Sequence, residues 1–191
     1  MLNEFKYGGP VLQSIINRRS DHHFSKKAVS KNSIETLLDA GVRTSNKAVD
    51  GLWSYAVIQD DDYVEYLREY SSLLERIDSA YSCQDRGNRI KDVTSIQTGR
   101  GSLILICTNL LLPFSLDDCW LAVENILLTA SALGFGVSMD GSLLKALNLS
   151  NIKSDLNIPG ELTVIAVIIV GEPEKPILPD NGNSPKVWKW I

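Results

Sequence analysis

Residues 18–27 read RRSDHHFSKK, and between Arg18 and Lys31 there are five Lys or Arg residues and one acid, Asp21, in a chain whose net charge is −4. In an extended segment alternate residues share a side. Arg18, Ser20 and His22 would then offer a guanidinium fork, a hydroxyl and an imidazole to a phosphate. The plain alternative is a solvated helix end. A second candidate is GFGVSMDG, residues 134–141, whose glycines let backbone N–H groups approach a flat ligand closely. It follows no strand and matches neither a dinucleotide fingerprint nor a phosphate loop. Its plain alternative is a glycine helix stop followed by another helix, SLLKALNL. A third stretch, RTSNKAVDGLW from Arg43 to Trp53, places Thr, Ser and Asn in a turn, where such side chains often satisfy only their own backbone.

Other chemistries find little support. His22 and His23 are the only histidines and point to opposite sides of an extended chain, too few ligands for a metal site, so none is expected. No GxSxG nucleophile elbow is present. Cys119 follows the Asp117-Asp118 pair, whose charge raises a thiol's pKa, and Cys83, Cys107 and Cys119 form no CxxC pattern. No catalytic acid or base can be assigned. The net negative charge gives the whole chain no electrostatic reason to seek nucleic acid or anionic lipid. The longest apolar runs, such as LTVIAVIIVG, are about half the length that spans a bilayer. The opening MLNEFKYGGP shows no secretory pattern, so a reduced, cytoplasmic protein is expected.

These segments must be positioned by a core, and 191 residues with 44% hydrophobic and 22% charged side chains suffice for one compact domain, residues 1–191. VLQSIINRR predicts a first helix ending near Arg19, with Val11, Leu12, Ile15 and Ile16 on one stripe. Ser30 or Asn32 is placed to cap a second, SIETLLDAG, which Gly41 would stop. LWSYAVIQDD reads as a strand entering a long helix, DDYVEYLREYSSLLERIDSAY, and residues 82–100 show no strong period. GSLILICTNL and LTVIAVIIVG read as strands buried on both faces. Between them, Asp117–Leu133 predicts a central helix. Trp120, Leu121, Val123, Ile126, Leu127, Leu128 and Leu133 leave it no broad polar face, so other elements should wrap it. The tail ends VWKWI and is expected to dock on its own subunit or a partner.

In this order the segments resemble the FMN-dependent nitroreductase family. That family opens with a helix ending Arg-Arg-Ser or Arg-His-Ser, here Arg18-Arg19-Ser20, followed by a basic residue and a phenylalanine, here His22 and Phe24. A loop of the form Pro-Ser-x-x-Asn-x-Gln-Pro-Trp is loosely matched at Ser45, Asn46 and Trp53. An Asp-x-x-x-Ala-x-Gln-Asn helix leading to Gly-Leu-Gly is matched by DCWLAVENILLTASALGFG, and a strand ending Gly-x-Pro by VIIVGEP. Four positions depart from the pattern. His22 stands where Lys or Arg is usual, Gln-Pro is missing before Trp53, Glu124 replaces a Gln, and no C-terminal Arg follows Gly171, leaving Lys186 or Lys189 as substitutes.

The resemblance implies an α+β fold, a mainly antiparallel central sheet flanked by helices, in an intertwined homodimer with FMN at the interface. It implies that Arg18, Arg19, Ser20 and His22 face the phosphate and the pyrimidine edge, with Ser45 and Asn46 coming from the other subunit. Ser138, Met139, Asp140 and Gly141 would lie along the isoalloxazine, offering a backbone N–H near N5. The implied activity is ping-pong hydride transfer from NAD(P)H to nitroaromatic, quinone or similar electron-poor acceptors. Two alternatives stay open: an FMN-dependent oxidase or dehydrogenase of a specialised organic substrate, and a degenerate flavin-binding protein without turnover.

Overall fold

The computed structural model describes residues 9–44, 53–81, 101–113, 115–176, 186, 188 and 189. The element order is α1 (Pro10–Asn17), α2 (Lys31–Gly41), β1 (Trp53–Ile58), α3 (Asp61–Tyr81), β2 (Ser102–Thr108), α4 (Ser115–Ala132), β3 (Gly136–Met139), α5 (Leu144–Leu147), α6 (Ser150–Asp155) and β4 (Thr163–Gly171). The four strands form one antiparallel sheet in the order β1-β2-β4-β3. The two continuous apolar runs of the sequence are its central strands, and every residue of β2 is buried.

Helices cover both faces, which is why these strands read as unbroken apolar runs although their pairing is antiparallel. The alternation of side chains along β2 assigns each face its core. Leu103, Leu105 and Cys107 pack with Val64 and Leu67 of α3, Leu147 of α5 and Ile152 of α6. Ile104 and Ile106 pack with Ile34 and Leu37 of α2 and with Cys119, Val123, Ile126 and Ala130 of α4.

Helix ends follow local chemistry. Ser30 caps α2, its Oγ accepting the Ser33 N–H at 3.1 Å. At the other end of α2, a Cβ on Gly41 would stand 2.5 Å from the Tyr55 hydroxyl and 3.0 Å from Ile126 Cδ1, so the glycine lets α2 close on β1 and α4. Helix α4 stops at Gly134, whose φ of 84° suits glycine, with Gly134 N–H donating to Ser131 O and Phe135 N–H to Ala130 O.

Three expectations are corrected here. The first helix ends at Asn17, with Arg18 as its C-cap. The stretch read as a glycine-rich turn contains the strand β3, because its backbone pairs with β4 from Gly136↔Gly171 to Met139↔Ile168. SLLKALNL is helical only in part: α5 spans Leu144–Leu147, and α6 begins beyond the stretch at Ser150. Wrapping of α4 is met on one side, where Cys119, Ala122, Ile126 and Ala130 are fully buried. Elsewhere on the helix Leu116, Trp120 and Leu121, and Leu133 just beyond its end, are 43–51% exposed; α1, which also packs on α4, buries none of its own residues.

Candidate functional site

The basic segment runs against the outer edge of β3. Ser20 forms a parallel bridge with Val137, and the Asp21 N–H donates to Val137 O at 2.8 Å. Gly136 permits this approach, since a Cβ there would lie 2.7 Å from Asp21 Oδ2 and 3.0 Å from Phe24 Cε1. Phe24, buried in the core under α3, anchors the far end. There the chain leaving β4 clasps it: Ser25 N–H donates to Glu172 O, Glu174 N–H donates to His23 O, Phe24 bridges Pro173, and Lys27 Nζ pairs with Glu172 at 2.8 Å. Two separate pieces of sheet therefore hold residues 20–25 in place.

Within this clasp the expected ligand residues are distinguishable. Arg18 extends from the C-cap of α1, half-exposed, with Nε 3.9 Å from Glu124 Oε1 on α4. Arg19 is part-buried and donates from Nη1 to the Arg18 carbonyl at 2.7 Å. Ser20 is exposed. His22 is half-buried, and its Nδ1 is buried without a hydrogen-bond partner among the described residues. A buried polar atom left in that condition costs stability unless a ligand or water completes it.

On β3, Ser138 is buried and Met139 is 41% exposed. The Asp140 N–H donates to Val167 O at 3.0 Å, and its Oδ1 accepts from Ser142 N (3.0 Å) and Ser142 Oγ (2.5 Å). The backbone donor expected from this segment is therefore not that of Asp140, which the sheet consumes. Antiparallel pairing alternates inward and outward groups. With Asp140 bonded to β4, Met139 turns its N–H and C=O to the open edge, just beyond the Ser20–Val137 bridge. Gly141 is not required by crowding, since a Cβ there would meet nothing within 4 Å.

Ser45 and Asn46 lie outside the described residues. The chain leading to them is fixed by Asn125 of α4, whose Nδ2 donates to the carbonyls of Arg43 (3.1 Å) and Ala40 (3.3 Å) at the end of α2. Thr44 is buried, and its Oγ1 has no partner among the described residues. Trp53 donates its indole N–H to the Tyr55 hydroxyl at 3.0 Å and packs at the margin of the α2–α4 core. Burial raises the Tyr55 pKa, the Trp53 bond opposing it.

Of the lysines considered as substitutes for a C-terminal Arg, Lys186 places its ammonium 4.4 Å from the centroid of the Trp188 ring. Lys175, which sequence reasoning missed, lines a cleft of about 210 Å3 with Ser20, Asp21, His23, Glu174 and Pro176. Its signal was available: it is the first cation after Gly171, in GEPEKP. Asn125 is a second residue that sequence reasoning missed; its signal is an amide on a mostly apolar helix. The thiols of Cys107 and Cys119 are pushed up to about 11, mainly by burial, and supply no nucleophile at neutral pH. No described helix is long and apolar enough to cross a membrane.

Solved structures share this fold. A nitroreductase with bound FMN from Bacteroides fragilis superposes with a TM-score of 0.74 over 96% of this chain and 99% of its own, at 19% identity. The chain has the nitroreductase fold. An FMN-dependent nitroreductase from Clostridium difficile gives a TM-score of 0.73 over 95% and 99% of the two chains at 17% identity. No protein-family model matches the sequence. It is 24% identical over 168 residues to an Archaeoglobus fulgidus protein provisionally named NADH dehydrogenase/NAD(P)H nitroreductase, covering 85% of each chain. It is 23% identical over 189 residues to an NADPH-dependent oxidoreductase of Staphylococcus saprophyticus, covering 91% of this chain and 69% of that one. The motif resemblance thus agrees with relatives and fold alike, and the nitroreductase fold is reached with the α+β, antiparallel architecture expected from the sequence.

Proposed function

We propose that the chain is a single-domain, FMN-dependent oxidoreductase that uses NAD(P)H to reduce nitroaromatics, quinones or similar electron-poor acceptors in a ping-pong cycle. The observation that carries this reading is the clasp of residues 20–25 against the edge of β3, with a buried nitrogen of His22 that has no partner among the described residues. The donor set fits an anionic, flat ligand. Arg18, Arg19, Ser20, His22 and Lys175 would hold the phosphate end and the pyrimidine edge, through charge-assisted hydrogen bonds. Ser138, Met139, Asp140 and Gly141 would lie beside the ring, where the edge backbone of Met139 supplies the donor and its exposed side chain an apolar contact. Bound FMN would supply the hydride and electron chemistry, as flavins do.

The protein's part is then orientation. Residues on the rigid sheet edge are held more precisely than a free loop would hold them. Asp140 acts by closing the turn onto Ser142 and so fixing where β3 ends. Asn125 ties the end of α2, from which the chain goes on toward Ser45 and Asn46. In the proposed homodimer those two residues serve the partner's site. The assembly is supported by an apolar surface that a lone chain leaves open: Val11 (72%) and Ile15 (50%) on α1, Trp120 and Leu121 on α4, and Leu111 (91%) between β2 and α4.

The test is an absorbance spectrum of the purified protein before and after adding FMN, followed by anaerobic mixing with NADH and with NADPH. A bound-flavin band that bleaches with either nucleotide is expected. A bound band that neither nucleotide bleaches would favour an oxidase, and a protein that takes up no FMN would overturn the reading.

A further inference from the structure

We propose that Glu124 is a built-in anionic competitor for Arg18, which lowers the affinity of the site for the FMN phosphate. The inference rests on the flavin-binding reading above. Glu124 is the only charged side chain of α4 beyond its first turn, set among the apolar and small residues that fill the rest of the helix. It approaches Arg18 through Nε alone, at 3.9 Å, with the two side chains 34% and 54% exposed. The pair is loose: the carboxylate holds the guanidinium without closing its two-pronged fork, which stays open to a second anion.

A phosphate monoester arriving at Arg18 brings about −1.5 to −2 charges to a place where one carboxylate already stands. The helix that carries it cannot retreat, because Ala122, Val123 and Ile126 are locked in the core, so the half-exposed carboxylate stays within side-chain reach of Arg18. Part of the phosphate's attraction to Arg18 is therefore spent on displacing Glu124, and the rest is opposed by like charge. The site exchanges anions instead of filling an empty cationic position. A neutral amide at position 124 would keep the shape and remove the competition. The effect belongs to the phosphate, so a flavin without one should not feel it.

The experiment titrates apo-protein with FMN and with riboflavin, for the wild type and Glu124→Gln. At low ionic strength Glu124→Gln should tighten FMN binding about two- to fivefold, the range of an exposed ion pair, and leave riboflavin binding unchanged. The gain should shrink as salt is raised to roughly 0.5 M, where the Debye length is only a few ångströms, and vanish in an Arg18→Ala background. Glu124→Ala should shift FMN affinity in the same direction, which guards against a folding defect peculiar to one variant. FMN affinity unchanged or weakened in the folded variants, an equal gain for riboflavin, or a gain that survives Arg18→Ala would each overturn the proposal. A wild type that binds FMN while Glu124→Gln binds it no tighter overturns this inference alone; a wild type that binds none overturns both.

Discussion

The two sides of α4 differ more than their sequence does. Cys119, Ala122, Val123, Ile126 and Ala130 face the sheet and are buried, while Leu116, Trp120, Leu121 and Leu133, equally apolar, remain about half-exposed. Composition alone marks the whole helix as interior. What separates the sides is the partner: the inner one meets α2 and the sheet of its own chain, and the outer one is left largely uncovered by the described residues. A helix apolar all round thus reports two burials, one completed by folding and one that we attribute to assembly.

The contrast can be broken most forcefully from the inside. Ile126→Ala removes a side chain with no exposed surface and should cost about 2–5 kcal/mol of stability, read from the midpoint of urea unfolding; a loss under about 1 kcal/mol would erase the difference between the sides. A pH series probes the same face less drastically. Burial holds the Cys119 thiol, and Cys107 across the sheet, at about 11 instead of 9.0. Below pH 9 both states keep these protons. Above it the unfolded chain ionises first, so stability should fall as pH rises from 9 to 11, by up to about 1.4 kcal/mol per pH unit for each thiol. Cys119→Ala should reduce that slope, and a slope untouched by the substitution would mean the thiol is not sealed. The smallest change in folding belongs outside. Trp120→Glu should give monomers in sedimentation and, compared at concentrations where both proteins are monomeric, change stability by no more than about 0.5 kcal/mol, whereas an intact dimer would remove this side from the interface.

The sequence made the large elements legible because their signals are local. A long segment with no broad polar face reads as a helix packed by other elements, and two short continuous apolar runs read as strands buried on both faces. The N-cap at Ser30 was readable for the same reason. What escaped depends on distant partners. β3 is four residues long and flanked by glycines, so only its pairing with β4 makes it a strand. That pairing also decides which backbone donor of the segment is consumed, taking Asp140 and leaving Met139 at the edge, a fact that no spacing within GFGVSMDG contains. The ligand candidates Arg18, Arg19, Ser20 and His22 are legible as a polar, cationic cluster, but the fixation of residues 20–25 by Val137 and Glu172 is not, nor is the arrival of Lys175 in a cleft with Ser20.

The clip of residues 20–25 onto the margin of the sheet carries one more consequence. A margin strand with free amides and carbonyls is an invitation to other chains, which can extend the sheet from one molecule to the next. Here the first such positions on β3 are already taken by the Ser20–Val137 bridge. The segment that we assign to ligand capture therefore also guards against polymerisation, so damage to it would endanger solubility as well as catalysis.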